Sequence, residues 1–118
     1  MYGDGSTARD YTYIDDIVNG FILSIPYLES KEKVYEIINL GSSQPVSLKE
    51  MIALLYQTFD QQPKIIQRPL QQGDVIKTFA NIQKAQNLLG YSPKFSFAKG
   101  ISHFARWYRQ KNSAKILI

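Results

Sequence analysis

The sequence predicts an α/β fold of about four helices and three short strands. Two observations carry this: apolar residues at helical spacing alternate with β-branched and aromatic runs, and turn-forming residues separate them. A third concerns Val34 to Leu40, where adjacent Ile37 and Ile38 give a strand apolar on both faces, as when both sides are covered. The neighbours such a strand needs are scarce in this chain, which marks the fold as incomplete.

Gly3-Asp4-Gly5-Ser6-Thr7 is a turn cluster whose glycines supply positive φ. Asp10 to Ile14 is β-branched and aromatic and reads as a short strand. Asp15 suits the cap of a first helix, with Asp16 favoured by the helix dipole. Ile17, Val18, Phe21, Ile22 and Ile25 make one apolar stripe, and Pro26 is expected to end the helix near Ile25. Lys31 to Lys33 is a charged loop before the strand at 34–40, which Gly41-Ser42-Ser43 stops. Ser47-Leu48-Lys49-Glu50 reads as a capping box opening a helix that carries Met51, Ile52, Leu55 and Phe59. Lys64 to Gln67 is a third short strand, and Arg68 to Lys77 is a polar loop. Asn81 is expected to cap a short helix with Ile82, Ala85, Leu88 and Leu89, ended by Gly90. A last helix after Ser96 is expected to bury Ile101, Phe104, Ala105 and Tyr108. Residues 111–118 are expected to fray.

At 118 residues the chain has the size of one domain, and 44% hydrophobic with 20% charged residues excludes a disordered tail. No run reaches the roughly 20 apolar residues that span a bilayer, so no membrane partner is expected. Residues 1–10 lack the order of a signal peptide, which fits a cytoplasmic protein. Without cysteine there is no disulfide or thiol chemistry, and with His103 as the single histidine no zinc site is expected. The net charge of +4 hides an asymmetry. Residues 1–60 carry nine acids and four bases, whereas residues 61–118 carry ten bases and one acid, Asp74. A basic half suits an anionic partner, but these bases are spread singly, as on a solvated face.

The segment Gly3 to Asp16, containing Arg9-Asp10-Tyr11, resembles the C-terminal portion of extended short-chain dehydrogenases, the NAD-dependent sugar-nucleotide epimerases and dehydratases. Three further blocks agree in order: Tyr35 to Gly41, Gln71 to Val75, and Leu88 to Pro93. The resemblance covers residues 2 to about 110. Pro69 to Val75, in the form Pro-Leu-Gln-x-Gly-Asp-Val, is more like UDP-glucuronate 4-epimerases than galactose-type epimerases, which usually place arginine at Gln71.

The resemblance implies that residues 1–110 are a substrate-binding fragment of a Rossmann-type epimerase, whose N-terminal NAD-binding domain lies outside this chain. In such enzymes NAD oxidises the sugar at C4 and hydride returns to the other face, so the cofactor carries the chemistry. The resemblance also implies that hydride chemistry uses a Tyr-x-x-x-Lys pair, which this chain is expected to lack. The glycine fingerprint that cradles NAD is absent, so the chain alone is expected to bind no NAD and to hold no catalytic residue. By the same resemblance Arg9 meets the nucleotide diphosphate, Tyr11 lies near the ribose, and Asp74 accepts the ribose hydroxyls. Gln71 lies near the phosphates and Tyr2 beside the uracil.

Three of these have a structural alternative. Arg9 suits an ion pair with Asp10, Asp15 or Asp16, Tyr11 strand packing, and Asp74 an N-cap or turn contact after Gly73. Asp10 and Asp15 are expected to brace the turn around Arg9, His103 to lie at the surface or pack, and Trp107 to be core. The expected partner is a UDP-sugar, bound weakly or not at all by the fragment. A homo-oligomer through an exposed domain interface is expected too. A related dehydratase or decarboxylase is the enzyme alternative. A small basic nucleic-acid-binding module is the other, disfavoured because no strand interleaves aromatic and basic residues.

Overall fold

The computed structural model of the protein describes residues 1–113. It is an α/β arrangement of four helices around a minimal sheet: β1 (Ala8–Arg9), α1 (Ile14–Glu29), β2 (Val46–Ser47), α2 (Leu48–Phe59), α3 (Gln83–Leu89) and α4 (Phe97–Ser113). β1 pairs antiparallel with β2, Ala8 opposite Ser47 and Arg9 opposite Val46. On its other side β1 meets a stretch that runs parallel to it. The Ala8 N–H donates to Ile76 O at 2.8 Å, and the Thr78 N–H donates to Ala8 O at 3.2 Å. The same parallel approach starts earlier, with the Gly3 N–H on Arg68 O at 2.9 Å and the Arg68 N–H on Met1 O at 2.8 Å. Residues 1–9 are thus bound along residues 66–78, some 65 positions away.

The strands differ from expectation throughout. Residues 10–13 are not in a ladder, and Ile14 opens α1 behind an extended Tyr13 cap. Residues 34–40 form no ladder: Tyr35 and Ile37 are exposed, while Ile38 and Leu40 pack on the core. A run of β-prone residues becomes a strand only beside a partner, and none lies beside it among the described residues. At 64–67 only the adjoining Arg68 makes a bridge, to Tyr2.

The helices are closer. Ser47 and Glu50 form the capping box of α2, the Glu50 N–H donating to Ser47 Oγ and the Ser47 N–H to Glu50 Oε2. Gly90 ends α3 at φ 67°, and α4 begins after Ser96 as expected. α1 runs past Pro26 to Glu29, because a proline in the last turn removes one N–H bond while Pro26 O still accepts from the Ser30 N–H. Tyr13, not Asp15, is the α1 cap. Ile82 takes the cap position of α3, although Asn81 Oδ1 still accepts the Gln83 N–H at 3.0 Å. Lys111 and Asn112 continue α4, so the tail expected to fray from 111 is helical there; the rest of that expectation, residues 114–118, lies outside the described residues.

The core is small. Ile82, Ala85, Leu89 and Tyr91 are buried together, with Leu23, Tyr27, Ile38, Leu40 and Ala80 packed around them. α1 rests on α3 and α2 on α4. In α4 only Ala105 of the four expected residues is buried; Phe104 and Tyr108 pack edge-on against Phe59 and stay about half exposed, and Ile101 is partly exposed. Trp107, expected in the core, is likewise half exposed; its ring lies 5.9 Å from that of Phe104 at a tilt of 35°.

Candidate functional site

Arg9 and Asp74 meet. β1 fixes the Arg9 backbone between β2 and residues 76–78, and a turn at 71–74 carries Asp74 back toward it. In that turn the Asp74 N–H donates to Gln71 O at 3.2 Å, and Gly73 takes φ 83°, which glycine adopts without strain. The guanidinium Nη2 of Arg9 donates to Asp74 Oδ1 at 2.7 Å, and Nη1 donates to Ala8 O at 2.9 Å. Both side chains are about one-third exposed. The other N–H donors of Arg9 have no partner among the described residues, and so remain able to meet an anion. The ion-pair alternative for Arg9 is therefore realised, but with Asp74 and not with Asp10, Asp15 or Asp16. The turn bond at Asp74 is made by its backbone N–H, while its carboxylate meets Arg9.

The other predicted residues gather less tightly. Gln71 is in the same turn as Asp74 and exposed. Tyr2 is half exposed, its backbone bridged to Arg68. Tyr11 faces Phe97 at a ring distance of 5.2 Å and lines an apolar cavity of about 280 Å³ with Tyr13, Phe97, Gly100 and Phe104. A second apolar groove of about 340 Å³ lies between α1 and residues 34–40. Neither is lined by Arg9, Gln71 or Asp74.

Two carboxylates that sequence reading treated as local hold distant loops. Asp10 accepts from the N–H groups of Ser42, Ser43 and Ala80, each at 3.0 Å, and from the Ser42 hydroxyl. Burial opposes its charged form, but the Ser42 hydroxyl and the Ala80, Ser43 and Ser42 N–H groups outweigh that, so its carboxyl titrates below the ordinary aspartate range. Asp10 is the brace expected; Asp15 is not, since it is exposed in the first turn of α1. Asp16 is buried and accepts the N–H groups of Lys94 and Phe95 at 2.8 and 3.0 Å. Tyr91 donates its hydroxyl to Gly41 O at 3.0 Å; burial and the nearby charges of Asp16 and Asp10 push its phenol up. His103 packs, its Nδ1 3.2 Å from the Tyr13 hydroxyl, with Tyr13 stacked on Phe95.

The Tyr-x-x-x-Lys spacing that the chain was expected to lack does occur, at Tyr27 and Lys31. Tyr27 packs against the core and Lys31 lies beyond the end of α1, its ammonium 5.9 Å from the Tyr27 ring.

The described residues do not fit NAD. A dinucleotide cradle sets a glycine loop before a helix N-terminus that attracts pyrophosphate. Here β1 leads into α1 without a glycine, and Asp15 and Asp16 in its first turn repel an anion. The space a Cβ would need at Gly3 and Gly5 is taken by Leu70, Lys49 and Met1.

Known proteins similar to the chain include nucleotide-sugar epimerases. UDP-glucuronate 4-epimerase of Thermodesulfobacterium geofontis is 37% identical over 111 residues, 93% of this chain and 33% of that protein. UDP-glucose 4-epimerase of Thermotoga maritima, solved with UDP-glucose, superposes with a TM-score of 0.80 at 28% identity, over 94% of this chain and 34% of that one. UDP-glucuronic acid 4-epimerase of Bacillus cereus, solved with NAD, gives a TM-score of 0.75 at 30% identity, over 94% of this chain and 34% of that one. The chain spans about a third of the length of these relatives. Its residues 1–104 match the family model of GDP-mannose 4,6 dehydratase, and the chain belongs to that family.

Proposed function

We propose that the chain is the substrate-side part of an NAD-dependent UDP-sugar 4-epimerase, acting on UDP-glucuronate, with NAD and the hydride chemistry belonging to the rest of the protein. The observation that carries this is the apposition of Arg9 and Asp74 across 65 residues of sequence. A guanidinium supplies paired donors to diphosphate oxygens, and a carboxylate beside it accepts the hydroxyls of a ribose. Gln71 donates its amide toward the phosphates, Tyr11 lies toward the ribose and Tyr2 toward the uracil. The similarity to UDP-glucuronate 4-epimerases and the Gln71 in the Pro69 to Val75 block support glucuronate over other sugars. The cysteine-free composition suits a cytoplasmic protein.

The same reading makes the chain self-associating. Val18, Phe21, Ile22 and Ile25 on α1, with Tyr35 and Ile37, present an exposed apolar face. No helix among the described residues is long and apolar enough to cross a membrane.

UDP titrated into the labelled chain tests the grip. Weak binding should shift the amides of Ala8 to Tyr11 and Gln71 to Val75, and Arg9→Ala should weaken it by about 1.5–3 kcal/mol, the scale of a charge-assisted hydrogen bond. Equal affinity in the folded variant would make Arg9 structural. Retention on a polyanion that weakens steeply with salt, with no response to UDP, would support the nucleic-acid reading instead.

A further inference from the structure

We propose that Asp10 is a positioning residue for the nucleotide grip, holding Arg9 and the turn of Asp74 in register through three loop segments that its carboxylate ties together. The inference rests on the reading of Arg9 and Asp74 as that grip.

Arg9 and Asp74 come from segments with no continuous ladder between them. The stretch after Asp74 touches β1 only through the Ile76 and Thr78 bonds to Ala8. Two bonds at the margin of a two-residue strand do not by themselves hold a surface turn. Asp10 supplies the next anchor on the same path. Its Oδ2 accepts the Ala80 N–H, two residues beyond Thr78, while Asp10 itself is covalently next to Arg9. The carboxylate therefore clamps the strand that bears Arg9 to the segment that bears Asp74.

Its other bonds hold the clamp in place. Oδ1 takes the N–H and hydroxyl of Ser42, and Oδ2 also takes the Ser43 N–H, with Ser43 in the left-handed region at φ 57°. The carboxylate reaches this loop because Gly41 has no side chain: a Cβ there would stand 2.8 Å from Asp10 Oδ2 and 2.6 Å from the Ala80 Cβ. The buried Tyr91 fixes that glycine from behind, donating to Gly41 O. Asp10 thus lies in a built socket, with both oxygens spoken for by the protein and none offered to a ligand. An asparagine cannot replace it, because an amide NH₂ would face N–H donors on one side or the other.

The test uses the full chain, comparing Asp10→Asn with wild type by amide hydrogen exchange and by UDP titration. Exchange at Ala8 and Thr78 should rise about tenfold relative to amides within α2, and UDP affinity should fall about fivefold, the order expected when charge-assisted bonds are lost. The double variant Arg9→Ala/Asp10→Asn should bind UDP no more weakly than Arg9→Ala alone, because Asp10 acts through the grip. If Asp10→Asn does not fold, Ser42→Ala removes one donor and should raise exchange at Thr78 about threefold. Unchanged exchange at Ala8 and Thr78, or a rise shared equally by α2, overturns the proposal while an effect of Arg9→Ala keeps the nucleotide reading. Arg9→Ala without effect on UDP overturns both.

Discussion

At the scale of single residues, the chain's acids do more structural work than its bases. The Asp10 carboxyl titrates below the ordinary aspartate value of 3.8 because the donors around it favour its charge more than burial opposes it. A folded value below the unfolded one means the stabilisation is complete above about pH 4 and is lost as pH falls through the folded value. Asp10→Asn should therefore cost about 1–3 kcal/mol at pH 7 by leaving N–H donors unmatched, and the gap to wild type should narrow as pH falls through the lowered folded value. Urea midpoints across pH 2.5–7 check this, and parallel curves would show that another carboxylate carries the acid sensitivity. Asp10 as a brace was legible beside Arg9, but its partners Ser42, Ser43 and Ala80 were not, since nothing in local spacing joins residues 32 to 70 positions apart. The isolation of Asp74 among ten bases hinted at a role; its partner emerged only in three dimensions.

Among the elements, those with local stop and start signals were legible, and those needing a partner were not. The capping box satisfies two N–H groups from within four residues, and Gly90 supplies its own αL turn, so α2 and the end of α3 follow from sequence. Ser47→Ala should destabilise the chain by about 1 kcal/mol with α2 melting first, read from thermal unfolding and α2 amide exchange. No loss would mean that packing of α2 on α4 alone sets its stability. Residues 34–40 have the composition of a strand but form no ladder, and Pro26 ends no helix because it falls in the last turn. In both, context outside the segment decided the outcome.

For the whole molecule, shape matters most. The radius of gyration is 18.2 Å over extents of 55 × 44 × 21 Å, against about 13–14 Å for a compact chain of this length. A flat body with a small core leaves Val18, Phe21, Ile22 and Ile25 of α1, with Tyr35 and Ile37, exposed. Sedimentation velocity should show the 13.5 kDa chain giving way to dimer or larger species as concentration rises. A single species at all concentrations would mean that the exposed face is not adhesive.

On the proposed reading these residues grip the nucleotide of a UDP-glucuronate 4-epimerase, and the hydride chemistry lies in the rest of the protein. The direct test replaces the matching third of the Thermodesulfobacterium geofontis enzyme with this chain and assays UDP-glucuronate to UDP-galacturonate conversion with NAD. The chimera should turn over and the chain alone should not, and Arg9→Ala in the chimera should lower kcat/KM by about 10- to 100-fold, matching 1.4–2.8 kcal/mol. Turnover by the isolated chain, or an NAD-binding chimera whose activity is indifferent to Arg9, would contradict it.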